Sequence, residues 1–208
     1  MPWIEAKALL RLRSIARRRR GVATPLRASG MVEPLVQAYD IAPSRVFLDR
    51  LVVRRYRHLR PTDLLRSSPR TVLVSERYLR GRARCFRNVN TRADLRPRWE
   101  RPVAGAGATV IPVPPEASRT FWKAASLQMR GLVEASARGF LHEAEIYSCL
   151  GILHLELDCL LDAHSCLVRT HSDCTGLDRR IGILRSSMDL PRPRKFAEPA
   201  RRKVRGRA

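Results

Sequence analysis

The sequence predicts a mainly α-helical protein: a helical N-terminal region, a C-terminal α-helical hairpin or repeat-like bundle, and basic extended termini. Three observations lead to this prediction. Apolar residues recur at helical spacing in residues 31–60 and 118–188. Between them, residues 88–119 contain five prolines and a Gly-Ala-Gly run, which exclude a regular helix there. Hydrophobic residues make up 44% of the chain, a share typical of folded proteins.

Charge is the strongest signal in the composition. The net charge is +22, and arginine outnumbers lysine by 37 to four. A GC-rich genome would explain the choice of arginine over lysine, but not the excess of basic over acidic residues. Residues 120–188 carry seven basic and eight acidic side chains, while the segments on both sides are positive. A near-neutral block between basic segments predicts a folded module with nucleic-acid-binding extensions.

Residues 1–30 are expected to be a mitochondrial presequence or a basic arm. Apolar residues follow helical spacing from Ile4 to Ala16, and Glu5 is the only acid before Glu33. Amphipathic, arginine-rich and acid-poor segments direct import into mitochondria, and the small residues at 21–24 would suit processing. The alternative is an RNA-binding or nuclear-targeting arm, which needs only the basic run Arg17, Arg18, Arg19 and Arg20.

Residues 31–100 are predicted to form a basic, helical, RNA-contacting region. Residues 31–60 read as helices, with Ser44 as an N-cap, and residues 71–74 are strand-like. Arginine binds phosphate in a bidentate manner, and aromatic rings among arginines either stack on bases or pack in the core. The candidate RNA contacts are Arg54, Arg55, Arg57, Arg80, Arg82, Arg84 and Arg87, with the rings of Tyr56, Tyr78, Phe86 and Trp99.

Two further segments are predicted to lack regular structure. Residues 101–117 are a Pro/Gly linker, whose glycines lack the spacing and the lysine of a phosphate-binding loop. Residues 189–208 are a basic tail that is disordered alone and orders itself against phosphate. Its candidate RNA contacts are Arg201, Arg202, Lys203 and Arg205.

Residues 118–188 are predicted to form an α-helical module. A helix capped by Ser118 and ended by Gly139 is followed by helices over about 142–157, 160–169 and 178–187. The acids of this module are expected on its solvated face, or against a basic region of this chain or of a neighbour. These acids are Glu143, Glu145, Glu156, Asp158 and Asp162.

One stretch of this module, about residues 144–177, resembles a tetratricopeptide repeat. The pattern is Tyr147-x-x-Leu150-Gly151-x-x-His154, followed by Ala163 and Leu167. The resemblance implies a scaffold that binds neighbouring proteins through these six residues, with Gly151 and Ala163 letting two helices approach closely. An ordinary helical hairpin with the same spacing is the alternative.

The sequence predicts no catalytic residue, cofactor, metal, small-molecule substrate or membrane contact. Cys159, Cys166, His171 and Cys174 could be arranged around zinc. However, no CxxC pair is present, and cysteine in an apolar helix behaves as a small hydrophobic residue. No apolar run approaches the length of a membrane span.

In composition alone the chain resembles a mitochondrial ribosomal protein. The expected function is therefore that of a structural subunit of a large ribonucleoprotein, which binds RNA, with rRNA favoured, and contacts neighbouring proteins through residues 118–188. The expected compartment is the mitochondrial matrix, with the nucleus or nucleolus as the alternative. The contrasting hypothesis is a helical-repeat adaptor or assembly factor in an organelle.

Overall fold

The computed structural model describes residues 6–27, 29–53, 60–79 and 110–188. These residues form a mainly α-helical protein, as the sequence predicts, with a small four-stranded sheet of which the sequence indicates only the strand-like residues 71–74. The strands are β1 (Val22–Leu26), β2 (Ala38–Tyr39), β3 (Thr71–Ser75) and β4 (Val110–Pro112). The helices are α1 (Ala6–Arg19), α2 (Ile41–Val53), α3 (Pro61–Ser67), α4 (Glu76–Leu79), α5 (Pro115–Met129), α6 (Val133–Cys149), α7 (Leu153–Arg169) and α8 (Thr175–Ser187).

The sheet has the strand order β2-β1-β3-β4. Its central pair is parallel, with Val22 opposite Thr71 and Leu26 opposite Ser75, and the outer strands pair antiparallel. All five residues of β1 and all five of β3 are buried. Burial of whole strands is typical of a parallel pair that is covered on both faces.

Helices cover the two faces of this sheet. Side chains alternate between the faces: Ala23 and Val72 pack with α1, whereas Val22 and Leu73 join the core formed with α6, α7 and α8. The described fold therefore has three layers, with α1 on one side of the sheet and the helical module on the other.

The N-terminal segment is part of this fold, which differs from a presequence that is removed at residues 21–24. Helix α1 buries Ala8, Leu12, Ile15 and Ala16 in the core that it shares with the sheet. Residues 22–24, within the expected processing site, are buried in β1, which lies between β2 and β3. The described fold therefore includes residues on both sides of residue 30.

Two further expectations for the N-terminal half are wrong. Residues 31–39 contain turns and β2 instead of a helix, and the hydroxyl of Thr24 holds this segment against β1 by donating to the carbonyl oxygens of Glu33 and Val36. Ser44 is not an N-cap, because α2 begins three residues earlier, and Ser44 is buried within that helix.

The predicted linker and the helical module also differ in detail from the expectation. Residues 110–112 form β4, and α5 begins at Pro115, since proline lacks only an N–H that the first helical turn leaves unpaired. The predicted helix over 142–157 is interrupted at Gly151, which has a φ of 68°. Gly139 does not end a helix but lies inside α6, where an added Cβ would stand 2.8 Å from the Cβ of Ala124. Gly139 therefore provides the close helix packing that was expected of Gly151.

Among the residues that the structure describes, no helix is long and apolar enough to cross a membrane.

Candidate functional site

The outer side of α1 and the turn that follows it form a strongly positive surface, here called the basic face. It consists of Lys7, Arg13, Arg17, Arg18, Arg19 and Arg20, all exposed. No acidic residue occurs between residues 6 and 32. Within the described parts of the chain, none of these six side chains forms an ion pair, so their charge is left for solvent or a partner.

Helical periodicity puts Lys7, Arg13, Arg17 and Arg18 on the side of α1 that faces away from its buried residues. Arg13 and Arg17 are one turn apart, whereas Arg19 and Arg20 lie where the helix ends. Arg20 adopts a φ of 51° and ends the helix together with Gly21, whose N–H donates to the carbonyl oxygen of Ala16. This is the Schellman arrangement, in which glycine is the usual left-handed residue.

The end of the helix is held close to the turn before β3. An added Cβ on Gly21 would meet the carbonyl oxygen of Arg70 at 2.0 Å, and the N–H of Val22 donates to that same oxygen. Only glycine allows this approach. It brings the exposed Arg70 to the same end of the sheet as Arg20. The backbone of Asp40 also lies at this end of the sheet, since its N–H donates to the carbonyl oxygen of Gly21.

The fold alone accounts for only part of this arrangement. The helix macrodipole favours cations in the last turn by about 0.3–1 kcal/mol, which suits Arg17, Arg18 and Arg19. It does not act on Lys7 or Arg13, and like charges one turn apart cost about 0.2–0.5 kcal/mol per pair. These like charges therefore repel one another in the folded chain, and binding of a polyanion would offset that repulsion.

The other predicted RNA contacts lie outside the described residues. They are Arg54, Arg55, Arg57, Arg80, Arg82, Arg84, Arg87, Arg201, Arg202, Lys203 and Arg205, and the same holds for Tyr56, Phe86 and Trp99. Of the predicted stacking residues only Tyr78 is described. Its side chain is 38% exposed, and its carbonyl oxygen accepts a hydrogen bond from Arg11 at 3.0 Å.

Of the six residues predicted to bind neighbouring proteins, two are buried and four are partly exposed. Tyr147 and Ala163 are completely buried, so their side chains cannot reach a partner protein. Leu150 and Leu167 are half-buried and pack against the cores. His154 places Nδ1 3.1 Å from the carbonyl oxygen of Val32. Tyr147 and Ala163 therefore support the helical module itself, and His154 also contacts the N-terminal half.

Gly30 and Gly151 lie close together where the N-terminal half meets the helical module. The N–H of His154 donates to the carbonyl oxygen of Gly30. Gly30 has a φ of 78°, and an added Cβ would stand 2.8 Å from the carbonyl oxygen of Gly151. Both backbone conformation and space thus require glycine at residue 30.

A second polar cluster, which the sequence does not indicate as a site, lies between α3 and the helical module. Arg66 is completely buried, and its Nε and Nη2 donate to the two carboxylate oxygens of Glu143 at 2.8 and 2.7 Å. Its Nη1 donates to Asp162 at 2.6 Å. The guanidinium carbon lies 4.9 Å from the ring centre of Phe121 and 5.6 Å from that of Phe140. This geometry combines bidentate pairing with cation–π contact.

Arg60 extends this cluster toward solvent. It pairs with Asp158 at 3.3 Å and with Asp162 at 2.6 Å, and its N–H donates to Asp63 at 2.8 Å. We call the six residues the ionic seam: Arg60, Asp63, Arg66, Glu143, Asp158 and Asp162. Three of the five acids expected on a solvated face are in fact buried, namely Glu143, Glu156 and Asp158. Each of them meets an arginine of this chain, which the sequence analysis gave as an alternative.

Burial sets the protonation behaviour of the ionic seam. It raises the pKa of Glu143 and of Asp63, with the neighbouring guanidinium of Arg66 acting in the opposite direction. Burial also raises the pKa of the Cys159 thiol well above its ordinary value, so this cysteine is not an activated nucleophile. Within the described chain, no group of three or more His, Cys, Asp or Glu side chains is arranged to hold a metal ion. The seam fastens α3 to the helical module.

Comparisons with known proteins give no match: no family model, no curated protein and no solved structure matches this chain.

Proposed function

We propose that this protein is a structural, RNA-associated subunit of a large ribonucleoprotein, most specifically a mitochondrial ribosomal protein. The observation that carries the proposal is the basic face. It contains six exposed cationic side chains along α1 and the turn that follows it, none of which has an acidic partner in the described chain. Surfaces of this kind are the electrostatic footprint of nucleic-acid binding.

The packing of α1 makes the basic face a prepared surface. Because four residues of α1 are buried against the sheet, the helix is already ordered, and RNA binding costs no further entropy for folding it. Arginine donates through a planar fork that matches phosphate oxygens, which favours bidentate contacts over a diffuse charge effect.

The mitochondrial matrix remains the proposed compartment, with the nucleus or nucleolus as the alternative. The same residues 6–20 are amphipathic, arginine-rich and free of acids, as an import signal requires before the chain folds. After import they would serve as the basic face. The same segment would thus act first as an import signal and then as an RNA-binding surface, without removal of α1.

The proposal is tested by RNA binding to the full chain as a function of salt. The variant Arg13→Gln/Arg17→Gln/Arg20→Gln removes three charges from the basic face. The matched control Arg130→Gln/Arg138→Gln/Arg179→Gln removes three exposed charges from the helical module. We expect the first variant to bind rRNA fragments more weakly than the wild type. Its affinity should also fall less steeply with salt, with a slope of log affinity against log salt that is smaller in magnitude by about 2 to 3. The control should bind like the wild type, and equal losses in both variants would contradict the proposal.

The second candidate function, a helical adaptor or assembly factor, is favoured by an apolar patch at one end of the helical module. Helices α5 and α7 end on the same side, as the contact between Gln128 and Cys166 shows. Met129, Leu132 and Val168 are 42%, 47% and 52% exposed there. For an adaptor, Leu132→Asp/Val168→Asp should abolish co-sedimentation with large particles and leave RNA affinity unchanged. For an RNA-anchored subunit, the basic-face variant should abolish co-sedimentation instead.

A further inference from the structure

We propose that the basic face binds the phosphate backbone of double-stranded RNA and does not read base sequence. This inference rests on the proposed function and specifies the form of RNA that α1 contacts. Three features of the described residues lead to it: the side chains that the face contains, the position of the two exposed tyrosines that the structure describes, and the shape of the surface.

The basic face contains the wrong side chains for base recognition. Apart from lysine and arginine, the exposed residues of α1 are Ala6, Leu9, Leu10 and Ser14. Single-stranded nucleic acids are held by aromatic rings on which bases stack, and none of these residues provides one. Arginine can read guanine in a wide major groove, but the major groove of an RNA duplex is too deep and narrow for side chains to read. Contacts to phosphate are what remains.

The exposed tyrosines do not supply a stacking surface along α1. Tyr39 pairs with Val22 across β1 and β2, and opposed residues of a strand pair lie on the same face of the sheet. Val22 belongs to the core of the helical module, so Tyr39 lies on the sheet face opposite α1. Tyr78 is near α1 through its contact with Arg11. One partly exposed ring could hold one base, whereas single-strand binding proteins use a succession of rings.

The shape of the surface also favours a duplex. Single strands bind in positively charged grooves that follow their flexible backbone, but α1 is a helix that covers the outside of the sheet. From Lys7 to Arg20 its charges extend about 20 Å at 1.5 Å per residue. A duplex presents phosphates at higher linear density than a single strand does, so its affinity for a purely cationic surface is greater.

The test measures binding of the full chain to four nucleic acids of equal length at moderate salt. They are two RNA duplexes of unrelated sequence, a DNA duplex, and an unstructured single-stranded RNA. Because basic segments elsewhere in the chain can also bind these probes, the quantity of interest is the loss caused by the variant Arg13→Gln/Arg17→Gln/Arg20→Gln. We expect a loss of about tenfold or more for the duplexes, equal within about threefold for both RNA sequences and for DNA. The loss for the single strand should be several times smaller.

Other outcomes distinguish the duplex inference from the proposed function. If the variant loses single-strand affinity as much as duplex affinity, or if Tyr78→Ala weakens binding as strongly, the duplex inference is wrong and the proposed function stands. If the variant and the control Arg130→Gln/Arg138→Gln/Arg179→Gln bind all four probes alike, the proposed function itself fails. Since Leu9 and Leu10 are also exposed, vesicles containing phosphatidylserine are a fifth probe. Binding of vesicles in preference to every nucleic acid would overturn both proposals.

Discussion

Arg66 illustrates how one residue can have a role opposite to the one its charge indicates. In a chain of net charge +22, an arginine is first assigned to the surface. Here the guanidinium is enclosed by Glu143, Asp162 and the rings of Phe121 and Phe140. The acids of α6 and α7 could be recognised from the sequence, and a basic partner within the chain was an open alternative. Their partner could not be identified, because Arg66 lies 77 residues from Glu143 and no local pattern links the two.

Replacing Arg66 should destabilise the fold strongly. In Arg66→Met the side chain stays large but becomes apolar, so Glu143 is left buried without its counter-ion. Loss of one partner of a buried ion pair costs about 3–5 kcal/mol, which urea unfolding would measure as a lower midpoint. The control is Arg45→Met, because Arg45 pairs with Asp49 on the surface, where both side chains are mostly exposed. Its effect should stay within about 0.5 kcal/mol.

The double variant Arg66→Met/Glu143→Leu distinguishes charge imbalance from lost packing. Replacing both members of a buried ion pair with apolar groups is often nearly neutral. We therefore expect the double variant to recover a substantial part of the stability that Arg66→Met loses. A double variant that is less stable than both single variants would show that lost packing, and not the unpaired charge, causes the destabilisation.

The pH dependence of stability gives a separate prediction at Glu143. Burial raises the pKa of this carboxyl above its ordinary value of 4.5. A carboxyl whose pKa is higher in the folded state makes a stabilising contribution that is present below the unfolded value and is lost as pH rises through the folded value. The variant Glu143→Gln cannot titrate. The wild type should therefore gain stability relative to Glu143→Gln as pH falls from about 7 to about 4, measured by urea unfolding. A difference that shrinks with falling pH would show that Arg66 dominates over burial.

At the scale of single elements, the sequence predicts the presence of helices better than their ends. Ser44 and Gly139 are plausible as a cap and a break on local preferences, yet both lie inside helices. Ser44 is buried in α2, and Gly139 packs against Ala124 of α5. In both places tertiary packing outweighs a local preference that is worth about 1 kcal/mol. The short strand β2 was missed for a related reason, since two residues have no periodicity to detect.

The glycine at residue 30 offers a test of how the N-terminal half is joined to the helical module. Gly30→Ala combines an unfavourable φ of 78° with contacts of 2.8 and 2.9 Å to Gly151 and Leu153. Gly131 has nearly the same φ, 77°, with no atom within 4 Å of an added Cβ. We expect Gly131→Ala to cost about 1–2 kcal/mol from backbone strain alone. Gly30→Ala should cost clearly more in thermal or urea unfolding. Equal losses would mean that the loop moves aside without cost.

At the scale of the whole molecule, the sequence predicts a near-neutral helical module and an amphipathic, arginine-rich α1, and the structure contains both. The sequence does not predict that α1 and the helical module pack on opposite faces of one sheet. The parallel pairing of β1 with β3 joins residues 49 positions apart, and non-local pairing of this kind leaves no signal in a local window. The basic face follows from both levels: its charges can be read from the sequence, but its fixed position depends on the buried side of α1.

Removal of the N-terminal segment is therefore expected to destroy the fold. A chain that begins at residue 27 lacks α1 and β1, and with them the helix that covers one face of the sheet and the strand between β2 and β3. The apolar residues left behind, among them Val72 and Val74, would face solvent. Near- and far-ultraviolet circular dichroism with urea unfolding should show the loss of a single cooperative transition. A cleavable presequence requires the opposite result, a truncated chain as stable as the full one. Sequencing the N-terminus of protein isolated from mitochondria gives the matching observation in the cell. A mature chain that keeps its fold must begin before α1. A mature chain that begins after residue 21 would contradict this role of α1.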